Sequence, residues 1–152
     1  MLYVQHYMKT PKTLKDNTLY LIGEIGKTLR DKVGTAIKKE GYDISPEQFT
    51  ILVMLFYQDG ISQNEISTNL NRDKTTVSRV IGRMITNKLI VKKQVAEDKR
   101  ENHIFITEKG KVIQEKLIAA TGPIYTTALE GIDDKELTIV NTILLKVLNS
   151  LK

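Results

Sequence analysis

A mostly α-helical fold with a small β-hairpin wing, a winged helix-turn-helix with further helices on either side, is predicted by three observations. Between Ser62 and Thr86 lie two short amphipathic stretches, each opened by a capping residue and parted only by Asn71-Arg72-Asp73. That order reads as helix, tight turn, helix. Two β-like runs, Leu89–Val95 and Asn102–Ile106, then follow across a charged tip at residues 96–101. Before and after this segment, apolar residues recur every three to four positions, the period of helices with one buried face.

The first helix is expected over residues 14–40. Leu14, Leu21, Ile25, Leu29, Val33 and Ile37 form its stripe, Leu19 and Ile22 widen it, and Gly41 suits its end. A second helix opens at Ser45-Pro46-Glu47-Gln48, with Ser45 as N-cap, Pro46 at the first helical position and Gln48 closing a capping box. Its apolar face is Phe49, Leu52, Val53 and Phe56, and Asp59-Gly60 ends it. The third helix has a box of Ser62 with Glu65 and buries Ile61, Ile66 and Leu70. Asn71 fits the turn because asparagine tolerates the left-handed conformation. Asp73 caps the fourth helix, whose inner face is Val77, Val80, Ile81 and Met84. In the hairpin, Ile104 and Ile106 point inward and Phe105 outward. Thr107 caps a fifth helix through Val112, Ile113, Leu117 and Ile118, which Gly122-Pro123 should break or kink. Asp133 and Glu136 box the last helix, where Leu137, Val140, Leu144, Val147 and Leu151 keep helical spacing.

Composition limits the function classes. The 152 residues suit one domain or a small domain with helical extensions, and 41% hydrophobic with 27% charged residues is ordinary for a soluble globular chain. There is no cysteine, which excludes a disulfide framework, a thiolate metal site and a cysteine redox switch. The N-terminus lacks the apolar run of a signal peptide, and no stretch approaches the roughly 20 apolar residues of a membrane span. A cytoplasmic protein without membrane association is expected. Histidines 6 and 103 stand far apart, so no metal site is expected. Tyrosines 3, 7, 20, 42, 57 and 125 could line an effector pocket, but their scattered spacing suits core or interface residues better. No phosphate loop, catalytic serine–histidine set or metal cluster suggests an enzyme, and nothing calls for a cofactor.

Charge is concentrated instead. Nine Lys/Arg fall between Arg72 and Arg100 against Asp73, Glu97 and Asp98, a local +6 in a chain of net +5. Basicity confined to one helix and one hairpin is what a phosphate footprint requires. The outer face of the fourth helix carries Lys74, Thr75, Ser78, Arg79, Gly82 and Arg83. Short polar groups near its start allow close approach to a major groove, and guanidinium groups one turn later can meet bases or phosphates. The bland alternative for Arg79 and Arg83 is a solvated helix face. Thr76 either completes the Asp73 cap or contacts a phosphate. Lys92, Lys93 and Lys99 would add phosphate attraction without reading sequence.

These residues resemble the MarR (multiple-antibiotic-resistance regulator) family of bacterial winged-helix transcription factors over essentially the full length. The most specific pieces are Asp73-Lys74-Thr75-Thr76-Val77-Ser78-Arg79 and the run from Asp98-Lys99-Arg100 to Thr107-Glu108-Lys109-Gly110. The latter matches the family's Asp-x-Arg wing followed by a Thr-Glu-x-Gly helix start. Three positions depart from the pattern: Asn71 and Lys88 stand where glycine is frequent, and Arg72 where an apolar residue is frequent. The resemblance implies that Arg100 reaches the minor groove with Asp98 orienting it through a salt bridge; otherwise Arg100 is a free surface arginine. It further implies a dimerisation helix at 1–40, a DNA-binding lobe at 41–107 and dimerisation helices at 108–152.

The expected function is therefore a homodimeric, sequence-specific transcriptional regulator, a repressor, bound to double-stranded DNA at a pseudo-palindromic operator. Half-site centres would lie about 10 bp or a small multiple apart. The resemblance implies control by a small, often aromatic or anionic, effector in a cleft between the dimerisation helices and the DNA-binding lobe. The alternative is a winged-helix module that binds a protein partner or RNA, its basic hairpin merely solubilising.

Overall fold

The computed structural model of the chain describes residues 13–95 and 98–151, with the side chains of residues 95–101 outside that set. The chain divides into two compact units, residues 1–121 and 122–152. The first begins with a 3-10 turn, Leu14–Asp16, held by Thr13 N–H donating to Asp16 Oδ2 at 3.0 Å. Helix α1 (Thr18–Lys39) starts only after it, because Asn17 Oδ1 accepts the Tyr20 N–H at 3.1 Å and supplies the cap. The helix expected from residue 14 is thus shortened at its start. Of its stripe, Val33 and Ile37 are buried, whereas Leu14, Leu19, Leu21 and Ile25 are exposed.

Helix α2 (Pro46–Tyr57) opens on the predicted box: Gln48 N–H donates to Ser45 Oγ at 3.2 Å and Ser45 N–H to Gln48 Oε1 at 2.9 Å. Its buried face is Phe49, Ile51, Leu52 and Leu55. Val53 is only half-buried and Phe56 is 57% exposed, which corrects the expected face. The reason is that Phe49–Tyr57 is apolar nearly all round, so its periodicity carries little contrast.

A two-residue strand, β1 (Ile61–Ser62), follows, so Ile61 is buried from a strand and not from the helix expected to hold it. It pairs antiparallel with β3 (Asp98–Ile106), which pairs with β2 (Ile90–Val95), giving the order β1-β3-β2. Gly60 precedes β1 at φ +78°, and a Cβ there would sit 2.6 Å from the Phe105 ring. Between these strands lie α3 (Gln63–Leu70) and α4 (Lys74–Thr86). Ile66 is buried, while Leu70 and Val80, expected in the core, are half-buried. The hairpin is longer than expected. After a register shift at Gln94/Val95, pairing resumes at Val95↔Asp98, so β3 begins four residues before Asn102.

Helix α5 (Glu108–Ala128) is capped as predicted by Thr107, whose Oγ1 accepts the Gly110 N–H at 3.0 Å. It buries Ile113, Gln114 and Leu117, while Val112 is 53% exposed and Ile118 half-buried, a second corrected face. The Gln114 amide donates to the Leu52 carbonyl and ties α5 to α2. The helix does not break at Gly122-Pro123; Pro123 lies inside it. A proline removes one backbone bond, which a 21-residue helix absorbs. The same pair marks the boundary between the two units. The core of the first unit gathers Ile37, Leu52, Ile66, Val77, Met84 and Ile104, all almost fully buried. Each contributes about 1.5–3 kcal/mol.

In the second unit, α6 (Asp134–Ser150) opens on the expected box, with Glu136 N–H donating to Asp133 Oδ1 at 2.8 Å. None of its residues is buried, and Ile139, Ile143, Leu144, Leu145 and Leu148 are exposed.

Candidate nucleic-acid interface

The α3–turn–α4 segment is fixed by local chemistry. Ser62 and Glu65 exchange backbone and side-chain bonds at 3.0 and 3.1 Å to start α3. Asn71 ends it in the left-handed conformation, φ 49° and ψ 49°, and Arg72 N–H donates back to Ser67 O at 3.1 Å. The Arg72 guanidinium lies 4.0 Å from the Glu47 carboxylate, both well exposed, a pair of little energetic weight. Asp73 then opens α4: its Oδ1 accepts the Thr76 N–H at 2.9 Å and its Oδ2 the Thr76 hydroxyl at 2.7 Å. These bonds, the hydroxyl first, hold the Asp73 carboxyl below its usual range.

Val77, Ile81 and Met84 anchor α4 in the core. Lys74, Thr75, Ser78, Arg79, Gly82 and Arg83 are all exposed on its other side. The structure therefore brings the predicted helix residues onto one uncovered face. Thr76 belongs to the cap. Ser78 has a partner the sequence did not reveal: Gln63 Nε2 donates to its Oγ at 2.7 Å. That leaves the Ser78 proton free for an external acceptor. The only signal for Gln63 was its place in the first turn of the preceding helix.

The end of α4 explains one departure from the family pattern. Lys88 has φ 60°, Lys88 N–H donates to Ile85 O at 2.8 Å and Leu89 N–H to Met84 O at 2.9 Å. This is a Schellman closure with lysine where glycine is easiest. Thr107 Oγ1 then donates to Lys88 O at 2.7 Å, pinning the same residue to the start of α5. Gly110 answers to packing as well, since a Cβ there would overlap the Leu89 carbonyl oxygen.

In the hairpin Lys92 pairs with Ile104 and Lys93 with His103, which puts the two lysines on opposite faces. Lys92 and Lys93 are exposed, and the Lys93 ammonium lies 5.3 Å from the Phe105 ring centroid. His103 Nδ1 is 2.8 Å from Gly60 O, so this ring is tied to the β1 edge. Asp59 Oδ1 accepts the Ile106 N–H at 2.9 Å, standing in for a strand partner. The backbone of Asp98, Lys99 and Arg100 belongs to β3; their side chains, with the proposed Asp98–Arg100 pair, lie outside the described residues. So do His6, Tyr3 and Tyr7.

Beside α4 lies a cleft of about 680 Å³, lined by Lys38, Asp43, Ser45, Arg79, Gly82 and Arg83 among others. Among the described residues no cluster of three or more His, Asp or Glu could hold a metal, and no helix is long and apolar enough to cross a membrane.

The fold and this arrangement have relatives. The MarR family profile matches residues 44–102. The HTH-type transcriptional regulator YybA of Bacillus subtilis is 27% identical over 126 residues, 83% of each chain. A Listeria monocytogenes protein described as a MarR family transcriptional regulator, solved with a 26mer DNA, is 30% identical with a TM-score of 0.78, covering 89% of both chains. The Staphylococcus aureus MepR–DNA complex is 28% identical with a TM-score of 0.78, covering 92% of this chain and all of that one. With the capped turn, the uncovered face of α4 and the paired wing strands all in their places, the chain belongs to the MarR family of transcriptional regulators.

Proposed function

We propose that the protein is a homodimeric, sequence-specific DNA-binding repressor, cytoplasmic, whose hold on DNA is released by a small aromatic or anionic ligand. The observation that carries this reading is α4. Its inner face is locked by Val77, Ile81 and Met84, while Lys74, Thr75, Ser78, Arg79 and Arg83 stand uncovered opposite. A helix held this way enters a major groove as a rigid element. The relatives solved on DNA support the same partner. In this reading Lys92, Lys93 and Lys99 attract phosphates and Arg100, steadied by Asp98, enters a minor groove. Thr76 acts through the cap.

Residues 1–40 and 108–152 would dimerise and 41–107 would read DNA. Leu14, Leu19, Leu21 and Ile25 on one side of the sequence, and Ile139, Ile143, Leu144 and Leu148 on the other, are exposed apolar residues that a second copy would cover. An effector need only favour a dimer in which the two reading helices are misspaced. Footprinting on the DNA upstream of the protein's own gene should show two related half-sites, centred about 10 bp or a small multiple apart. Weak, sequence-blind protection would sink the proposal and favour a module for a protein partner or RNA.

A further inference from the structure

A side-chain bond joins α3 to α4 across the turn: Gln63 Nε2 donates to Ser78 Oγ at 2.7 Å. Gln63 is half-buried and Ser78 is exposed. The backbone of Gln63 is set in place on both sides. Ser62, just before it, is locked in the capping box with Glu65, and the Gln63 carbonyl accepts the Ser67 hydroxyl at 3.0 Å. From that base the amide reaches the neighbouring helix. A neutral bond so open to solvent adds little to stability, because water offers both groups similar partners. Its weight lies in what it does to the hydroxyl.

Inside a helix, serine and threonine can return the hydroxyl proton to the carbonyl four residues back. This chain does so at Thr50 with Pro46 O, at Thr68 with Asn64 O and, within α4 itself, at Thr86 with Gly82 O, all at 2.9 to 3.1 Å. Ser78 departs from that habit. Among the described residues its hydroxyl makes no bond to the Lys74 carbonyl, and its oxygen accepts from Gln63 instead. A hydroxyl has one proton and two lone pairs. Gln63 fills one lone pair and, by polarising the group, strengthens it as a donor. The proton is left for an acceptor outside the protein.

We infer, on the reading of α4 as the major-groove helix, that Gln63 is a positioning residue for sequence recognition: it commits Ser78 to donating, so the base edge that Ser78 meets must carry an acceptor and cannot be that of cytosine. In the major groove guanine presents N7 and O6, adenine N7 and thymine O4 as acceptors, whereas cytosine presents only its N4 donor. A cytosine there would place its amino group on the one remaining lone pair and leave the Ser78 proton unpaired in a desolvated interface. An unpaired buried donor costs more than a hydrogen bond gains. A phosphate does not suit this device. Its oxygens only accept, so fixing the polarity of a hydroxyl adds nothing there; at base edges, where donors and acceptors alternate, polarity is information.

Three variants of the full chain test this. Gln63→Met keeps the side-chain length and removes the bond, Gln63→Glu can only accept and so takes the Ser78 proton, and Ser78→Ala removes the reader. Thermal melts check that each folds as wild type does. Each protein then selects from a pool of randomised duplexes, and the bound sequences are counted base by base. Wild type should disfavour cytosine about three- to ten-fold at one base of the half-site it selects. In Gln63→Met and Ser78→Ala that penalty should vanish at the same base while the preferences elsewhere stay. Gln63→Glu should favour cytosine there, even though its added charge weakens binding to every duplex. Persistence of the cytosine penalty in any of the three variants overturns the inference, as does a wild type that selects a sequence in which no position carries the penalty. Failure of the DNA-binding reading looks different: wild type then enriches no sequence at all, and the inference falls with it.

Discussion

Arg79 and Arg83 on α4 and Arg100 in β3 carry the same charge in two settings, and substitution should separate their roles. If Arg79 or Arg83 reads a base, its change to Ala should cost roughly 1–3 kcal/mol on operator DNA and little on random duplex. Arg100→Ala should act mainly where the flanks are A·T-rich, because a narrow minor groove concentrates negative potential around an inserted guanidinium. Equal losses on every duplex, measured by fluorescence anisotropy, would leave phosphate attraction alone. Asp73 gives a pH prediction. Its carboxyl is held below 3.8 by the Thr76 hydroxyl and then the Thr76 N–H. A lowered folded value means stability present above the unfolded value and lost as pH falls through the folded one. Asp73→Asn keeps a capping oxygen but removes the titration, so its unfolding profile below pH 3.8 should be flatter than wild type. Identical acid profiles would show that the cap does not titrate with folding. Such caps were legible in the sequence because donor and acceptor lie three residues apart, as in Ser45 with Gln48 and Asp133 with Glu136. Gln63 with Ser78, or Asp59 with Ile106, were not: 15 and 47 residues separate them, and only the folded chain brings them together.

At the scale of elements, the close of α4 is a local strain in an otherwise favourable segment. Lys88 holds a left-handed angle, φ 60°, that a non-glycine residue adopts at a cost. Lys88→Gly should therefore raise stability by about 1 kcal/mol in urea unfolding. No change, or a loss, would mean that the lysine side chain compensates. Helix existence and order were legible throughout, since capping residues or apolar repeats mark every helix, although the Asn17 cap that starts α1 was not read. Helix faces were less so. In α2 the run Phe49–Tyr57 is apolar almost throughout, so sequence could not choose between Leu55 and Phe56; the folded chain buries Leu55 and leaves Phe56 exposed. The short strand β1 was illegible because two residues show no alternation, and it exists only through its pairing with Ile104 and His103. At Pro123, where a break or a kink is expected, the helix runs on without a break, since one missing N–H does not end a long helix.

For the whole molecule, exposed leucines and isoleucines in both α1 and α6 predict that the free chain does not persist as a monomer. Sedimentation at micromolar concentration should find twice the 17.3 kDa chain mass; a well-folded monomer would remove the dimer from the proposal. The DNA lobe carries a further consequence in two of the three residues between α4 and β2. Lys88 and Leu89 are bonded backward to Ile85 and Met84 and forward to Thr107, so helix and hairpin share one anchored joint. In the proposed DNA complex such a joint makes the lobe a gauge of fixed setting, resisting any change in the offset between the groove proposed for α4 and the one proposed beside the hairpin. One extra base pair between those two contacts turns the flank by roughly 35° on a helix of about 10 bp per turn. An operator lengthened by that single pair should lose the flank contribution entirely, whatever base is inserted.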